Sequence, residues 1–427
     1  MVDVLVVGSG GREHALAWKI KQSPRIGKLY IAPGNGGTRY IGENVPIGIL
    51  EFNKLADFVE ERNIGLTVCS MDDPLAQGIV DFFTNRNLRI WGPSKDAAQI
   101  ESSKVFAKEL MTEGKIPTAL FKVCTSAAQA LAYVRRSRLP LVIKASGLAL
   151  GKGVYICRTF EEAEKAVDEI MVRRIFGESG AEVVIEEYLV GPEISIHALS
   201  DGLGHVLFPP SQDHKRALDN DEGPNTGGMG AIAPVPWMTV EHMTHIEHKV
   251  VAPALDVMRK RGIWYRGMLY PGLIMTLNGP KVLEYNARFG DPECQAYMRL
   301  LKSDLLDLFD ACIDSTISET KKSIEWHLGF AVNIVITSGG YPGEYKKGLP
   351  IEGIEAAEQV PTAVVFHAGT TQSGGQLVTS GGRVLSVSAT GPTLKAALDR
   401  AYEAIGKIHF EGMYFRRDIG AKALSTK

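Results

Sequence analysis

In Val4-Leu5-Val6-Val7-Gly8-Ser9-Gly10-Gly11-Arg12-Glu13 an apolar run passes through a glycine turn into a helical pattern that extends from Arg12 to Lys21. The alternation recurs with Leu29-Tyr30-Ile31, Leu66-Thr67-Val68 and Leu88-Arg89-Ile90-Trp91, which predicts parallel strands joined by crossover helices. The turn resembles the dinucleotide fingerprint G-x-G-x-x-G. However, Glu13 stands at the third glycine, and the next strand runs into Ala32-Pro33-Gly34-Asn35 where an acid for a ribose is expected, so that reading weakens. A helix start after a glycine turn still offers N–H groups to a phosphate. A tight turn without a ligand is the plain alternative.

Working outward, 47 Lys+Arg against 49 Asp+Glu in 427 residues leave a net charge of −2, which excludes a polybasic nucleic-acid arm. The length suggests about two to four domains, each able to bury its own core. Five cysteines without a C-x-x-C fit neither a disulfide framework nor a zinc knuckle and point to a reducing compartment. The N-terminal apolar run turns polar too soon for a signal peptide. The longest uncharged stretches, 223–240 and 359–382, are broken by Gly, Pro, Ser and Thr, unlike a membrane span. A cytoplasmic protein with neither membrane nor nucleic-acid partner is expected.

Gly92-Pro93-Ser94 closes the first unit, and one helix carrying Ala97, Ile100, Phe106 and Leu110 begins the next. From about 120 to 190 the pattern is that of a small α+β module: Leu139–Ile143, Gly151–Cys157, a helix over Glu161–Met171, then Val183–Ile185. Residues 191 to about 325 carry most polar clusters. The last hundred read as strands Val332–Thr337, Ala363–His367 and Arg383–Ala389, plus an amphipathic helix with Leu394, Leu398, Ala401, Ile405 and Ile408 on one face.

Six segments carry chemistry. Lys144 ends an apolar run and is followed by a glycine-rich turn, Gly147 to Gly153, with Lys152 inside it. The spacing is one residue short of a Walker A loop and lacks its hydroxyl, yet glycines that let backbone approach and two ammonium groups suit a polyphosphate. Glu186 and Glu187 end a strand before Tyr188-Leu189 and Gly191-Pro192-Glu193, and read most simply as an exposed acidic pair. In Val282-Leu283-Glu284-Tyr285-Asn286 the alternation puts Glu284 and Asn286 on one strand face, a hard-oxygen pair suited to Mg²⁺ completed by water and phosphates, or to an ordinary solvated face. Arg288, Asp291 and Glu293 follow across a Gly/Pro turn and add an oxyanion-binding guanidinium and two carboxylates. The loop Ser211 to Arg216 suggests an anion and amine site, and Gly223 to Gly230 a flexible wall. His214 has no marked Ser or Cys nucleophile beside it, which leaves hydrolase readings unsupported.

Taken together, Gly8 to Ala15, Ala32 to Asn35, Lys144 to Gly153, Gln212 to Arg216, Gly223 to Gly230 and Asn286 to Glu293 resemble the glycinamide ribonucleotide synthetase family of the ATP-grasp superfamily over essentially the whole chain. The resemblance implies a multidomain α/β and α+β fold. It has an N-terminal parallel-sheet domain at 1–101, an ATP-grasp core lobe at 102–119 and 191–327, a lid lobe at 120–190 and a C-terminal mixed α/β domain at 328–427. It implies ligation of glycine to 5-phosphoribosylamine with ATP, through a glycyl phosphate, in purine biosynthesis. Lys104 and Lys144 would contact phosphates, and Gly147, Gly151, Lys152 and Gly153 would form the closing loop. Glu186, Tyr188, Leu189 and Glu193 would frame adenine and ribose, and Glu284 and Asn286 would hold Mg²⁺, with Mn²⁺ as an alternative. Arg288, Lys144 and Asp213 carry the chemistry in this reading. Asp213, His214, Lys215, Asp291 and Glu293 face the amine substrates, and Gly10, Gly11, Arg12 and Asn35 the phosphoribosylamine. Fusion to or association with other purine-pathway enzymes is a further implication.

The rival readings are an ATP-grasp enzyme using formate or bicarbonate, a nicotinamide oxidoreductase, and a catalytically silent nucleotide sensor. Two departures from the family pattern stand out: Ser70-Met71-Asp72-Asp73 replaces a segment that usually carries Glu, and Pro271 sits inside a strand, where it predicts imperfect pairing.

Overall fold

The computed structural model describes residues 1–149, 153–320 and 324–425. Gly151 and Lys152, expected in the closing loop, lie outside the described residues. The N-terminal strands form the expected parallel sheet, in the order Glu43–Asn44, Ile26–Pro33, Val2–Gly8, Leu66–Cys69, Ile90–Trp91. Alternation along Val2–Gly8 sends Leu5 and Val7 to a core with Leu55, Val59 and Phe83, and Val4 and Val6 to a second core with Leu16 and Ile20. The sheet is thereby covered on both faces, as a parallel sheet requires.

The single helix expected after Ser94 is two, Lys95–Ser102 and Lys104–Glu113. Ser103 is extended and its Oγ accepts the Phe106 N–H, so an N-cap interrupts the run and puts Lys104 at the first position of a new helix. The 120–190 segment forms a four-stranded antiparallel sheet ordered Phe121–Cys124, Val183–Glu187, Leu141–Ala145, Val154–Cys157. Helices Ala127–Val134 and Phe160–Val167 cover it, and the second continues through a wider helical turn at Asp168–Val172, past the expected end at Met171.

The core lobe is built on Arg266–Thr276, which pairs with Gly279–Asn286 on one side and with Glu193–Ser195 and Ala198–Asp201 on the other. The second partner breaks opposite Tyr270 and Pro271, and a register shift follows at Gly272/Leu273 on the first. Proline has no N–H to donate, and the ladder lapses where the sequence predicts. The last sheet runs Gln212–Asp213, Gly230–Ala233, Phe330–Thr337, Arg383–Gly391, Val364–His367. Two of its strands therefore come from the segment before residue 328. One face packs on helix Leu394–Ile405 through Val332, Ile334 and Val387. The other receives helix Glu293–Leu300, and Asn333 donates to Pro292 O there. Among the described residues no helix is long and apolar enough to cross a membrane.

Candidate active site

A cleft of about 1190 Å³ lies between the small four-stranded sheet, the core lobe, the N-terminal turn and the C-terminal sheet. Its back wall is strand Gly279–Asn286, where Glu284 and Asn286 both face the cavity as their spacing predicts. Four cations surround Glu284. Lys215 Nζ lies 3.5 Å from its Oε1. Burial pushes this carboxyl up, but Lys215, Lys144, Lys104 and Arg288 outweigh it and bring it down to about 2. Lys215 also lies 3.4 Å from Glu193, and these two carboxylates hold it well above the usual ammonium range against the effect of burial.

Lys144, next to last in strand Leu141–Ala145, crosses to the core lobe and donates to Leu283 O at 2.9 Å. Its second partner is Glu186, at 2.9 Å, and Lys108 approaches the other oxygen of the same carboxylate at 3.0 Å. Glu186 is 3 % exposed, so the expectation of an exposed acidic pair is corrected: its strand is the second of four and points this side chain inward between two lysines, while Glu187 pairs with Lys281 at the rim. Lys104 Nζ donates to Gly147 O at 3.2 Å, and its pKa is lowered by burial, with Glu284 opposing.

The base of the glycine turn is packed too closely for side chains. A Cβ on Gly147 would meet Ser179 Oγ at 2.5 Å, and one on Gly153 would meet Ala149 Cβ at 2.8 Å. Gly153 lines the cleft, whereas Gly147 is outside its lining and holds the loop on Ser179. Tyr188, Leu189 and Glu193 lie along one rim. Their connector crosses the core strand at Gly191, where φ is +156° and a Cβ would lie 2.1 Å from Met275 O.

At the opposite end, Arg288 pairs with Glu101 at 3.0 Å, donates to Asn286 Oδ1 and Phe289 O, and keeps a buried Nε–H without a protein partner. Glu293 Oε1 accepts from Ser195 Oγ and Tyr270 Oη at 2.8 and 2.7 Å. Asp213 Oδ1 is buried without a partner. Burial first, and Glu293 second, push its carboxyl well up. Asp291 is held low, against burial, by Arg383 and Arg12; Arg383 bonds it at 2.9 Å and also donates to Gly227 O. The 223–230 segment is more ordered than a flexible wall, since Glu222–Asn225 pairs with Arg216–Leu218. His214 is a neutral pin: its Nδ1–H donates to Gly230 O, its Nε2 accepts the Gly420 N–H, and burial brings it to about 4.

At the N-terminal turn Gly10 and Arg12 line the cleft; Gly11 and Asn35 do not. The Gly10 N–H is donated to Glu13 Oε2 at 2.9 Å, and Arg12 Nε pairs with the same carboxylate at 2.6 Å. The helix start expected to greet a phosphate therefore carries its own anion, and Arg12 is what it presents. Asn35 is consumed internally: its amide donates to Ser9 O and His367 O and accepts from Gly37 and Thr38 N–H. The sequence reading missed Glu101, Lys108, Asp72, Tyr270 and Arg383. Only Asp72, flagged as a departure, carried a local signal; Arg288 and Arg12 keep its carboxyl low against burial.

Among the described residues no three His, Cys, Asp or Glu side chains cluster as a metal cage. The donor set of one ionised carboxylate and one amide oxygen fits a hard divalent cation that draws its other ligands from phosphate and water.

Comparison with known proteins covers nearly the whole chain. The family models for phosphoribosylglycinamide synthetase match in order: the N domain at residues 2–101, the ATP-grasp (A) domain at 102–294 and the C domain at 331–422. A phosphoribosylamine–glycine ligase of Caldanaerobacter subterraneus is 47% identical over 420 residues, covering 98% of this chain and 100% of the relative. The trifunctional purine biosynthetic protein adenosine-3 of Gallus gallus is 47% identical over 99% of this chain, which spans 42% of that protein. The crystal structure of a phosphoribosylamine–glycine ligase from Thermotoga maritima superposes with a TM-score of 0.82 at 35% identity, over 98% of this chain and 100% of the other. A biotin carboxylase domain from Hydrogenobacter thermophilus shares the fold alone, with a TM-score of 0.73 at 16% identity.

Proposed function

The chain belongs to the phosphoribosylglycinamide synthetase family, and from that premise we propose that its cleft joins glycine to 5-phosphoribosylamine at the expense of ATP, giving glycinamide ribonucleotide, ADP and phosphate. The observation that carries the assignment of residues is the convergence of Lys104, Lys144, Lys215 and Arg288 on one ionised Glu284. Four cations converging on one face of a cleft suit a triphosphate and the charge that develops when its terminal phosphoryl group moves.

In this reading 102–119 and 191–327 form the core lobe, 120–190 the lid, and 1–101 and 328–427 the flanking domains. Lys104 and Lys144 neutralise phosphate oxygens. Tyr188, Leu189 and Glu193 border the nucleoside, and Glu186 orients Lys144 and Lys108. Glu284 and Asn286 would hold Mg²⁺, with Mn²⁺ satisfying the same oxygen donors; the bound cation neutralises phosphate charge.

The glycine carboxylate attacks the γ-phosphorus in line: its O–P bond forms as the bond to the ADP oxygen breaks, leaving glycyl phosphate. The amine of phosphoribosylamine then attacks the acyl carbon, the C–O bond to phosphate breaks, and the amide forms with loss of the amine proton. Arg288, whose Nε–H is buried and unpartnered, donates to the oxyanion of the tetrahedral intermediate. Asp213, Asp291 and Glu293 face the amines, Lys215 bridges the two halves, and Arg12 with the Gly10 turn meets the phosphoribosyl group. An acyl phosphate hydrolyses in water, so the loop through Gly147 and Gly153 has to close over it.

The test is phosphate release from ATP that requires both glycine and phosphoribosylamine generated in situ. Release stimulated by formate or bicarbonate instead, or by no acid, would overturn the reading.

A further inference from the structure

Outside the cleft, a second cavity of about 540 Å³ opens where helix Gly11–Ile20, helix Glu293–Leu300 and strand Arg383–Gly391 meet. Lys19, Arg299, Arg400 and His327 line it, and none of the described lining residues is an Asp or Glu. In a protein of net charge −2, three permanent cations around one cavity with no carboxylate among them is an unbalanced arrangement.

The partners of these cations are neutral. Lys19 Nζ donates to Leu301 O at 2.5 Å; the carboxylate that acts on its charge, Asp304, accepts from Ser23 Oγ and caps Leu306 N. Arg299 donates to Thr362 O at 2.6 Å, and Arg400 to Thr390 O at 2.6 Å and Thr362 Oγ1 at 3.4 Å, so two guanidinium groups converge on one residue. Arg299 Nε–H is buried without a partner, and burial brings this guanidinium down to about 10. Thr362 itself has φ +64°, a conformation that β-branched residues rarely hold.

Like charges brought together and hydrogen-bonded only to carbonyl and hydroxyl oxygens are a poor resting arrangement and a good anion receptor. The rest of the wall is apolar: Trp18, whose ring carries Arg299 at 5.0 Å, with Leu301, Leu328 and Pro392. That combination, in a volume within the usual range of about 300–1,000 Å³ for small-molecule sites, selects an anion with a hydrophobic body over a bare ion.

We propose that this cavity binds a phosphomonoester of nucleoside-monophosphate size, its phosphate on Arg299, Arg400 and Lys19 and its ring against Trp18 and Leu328. The site stands apart from the catalytic cleft, yet the three elements that build it reach that cleft with their other ends. Arg12 and Glu13 begin the first helix, Glu293 begins the second, and Arg383 begins the strand. Along this helix Arg12 and Lys19 are seven positions apart, which places the two sites about 10 Å from each other along its axis.

The test is calorimetric titration of the full chain, saturated with Mg·ADP, with adenosine 5′-monophosphate and separately with inorganic phosphate. The nucleotide is expected to bind with Kd below about 1 mM and more tightly than phosphate, and Arg400→Gln and Arg299→Gln are each expected to weaken it about tenfold or more. Lys144→Met, which alters the cleft, should leave this binding in place, and Arg400→Gln should leave basal phosphate release intact, which shows that it folds. Binding that is absent below about 1 mM, that survives both arginine substitutions, or that is lost with Lys144→Met would overturn the site. Phosphate binding as tightly as the nucleotide would overturn the ring contact.

Discussion

Replacing Glu186 by Gln keeps the shape of the side chain and removes the one negative charge between two buried ammonium groups, 2.9 and 3.0 Å away. Removing one partner of a buried pair costs about 3–5 kcal/mol when the other charge is trapped. Here one of the two has an exit. Burial already brings Lys108 down to about 8 from an ordinary 10.5, with Glu186 opposing. Keeping Lys108 charged in the native protein costs about 3 kcal/mol relative to the unfolded chain, and holding it neutral at pH 7 costs about 5 kcal/mol. Without Glu186, Lys108 sheds its proton, and the loss at this residue is limited to about 1.4 kcal/mol. Lys144 keeps Leu283 O but loses its charge partner, so the total expected for Glu186→Gln at pH 7 is about 2–4 kcal/mol.

The sign with pH follows. In the variant the native state holds fewer protons than the unfolded chain from below pH 8 upward; in the parent this begins only near 8. The gap between them should therefore narrow by about 1 kcal/mol between pH 7 and 8 and level off above about pH 9. Urea unfolding midpoints at the two pH values measure it. Adding Lys108→Met to Glu186→Gln should recover about 1 kcal/mol, because no ammonium at position 108 then has to lose its proton on folding. A gap that widens with pH, or no recovery in the double variant, would refute the argument.

Lys144→Met and Glu284→Gln should each lower turnover about 10²-fold or more in the phosphate-release assay, as the loss of a preorganised electrostatic contact does. Asp213 ionises above the ordinary carboxylate range, so kcat/KM for glycine should fall with decreasing pH through a limb displaced upward, and Asp213→Asn should erase that limb. Arg383 holds Asp291 and Gly227 together from the C-terminal sheet. Arg383→Gln should raise KM for the amine substrates about tenfold or more, and Arg383→Lys should not restore it, because an ammonium lacks the fork. Glu13→Gly, which completes the dinucleotide fingerprint, should destabilise the chain by about 3–5 kcal/mol on urea unfolding by stranding Arg12, and should give no nicotinamide dinucleotide binding by fluorescence titration.

What was legible in the sequence is what local pattern controls. Alternation gave the parallel unit, and period-two spacing put Glu284 and Asn286 on one face. Pro271 marked the lapse in pairing. The helix break at Ser103 was also local, but a hydroxyl cap inside an apolar-periodic stretch reads as helix until its extended backbone is seen. Glu186 could not be read correctly from its neighbours, because its burial follows from a sheet order in which its strand lies inside. Arg383 and Glu101 meet Asp291 and Arg288 across 92 and 187 positions of chain, the second as 288 − 101. Such pairings leave no trace in spacing. The Thr370–Ser373 and Gln376–Thr379 hairpin hid in a stretch notable only for having no charge.

The sheet that takes Gln212–Asp213 and Gly230–Ala233 alongside Phe330–Thr337 has a consequence for anyone cutting this polypeptide. A fragment beginning at Phe330 would leave one long side of that strand bare, its N–H and C=O groups facing water where Gly230–Ala233 had been zipped to it. Exposed apolar edges recruit whatever extended peptide is available. Such a piece would pair with its own copies before it behaved as an autonomous module, so the natural unit for excision, display or grafting is the entire woven body rather than its tail.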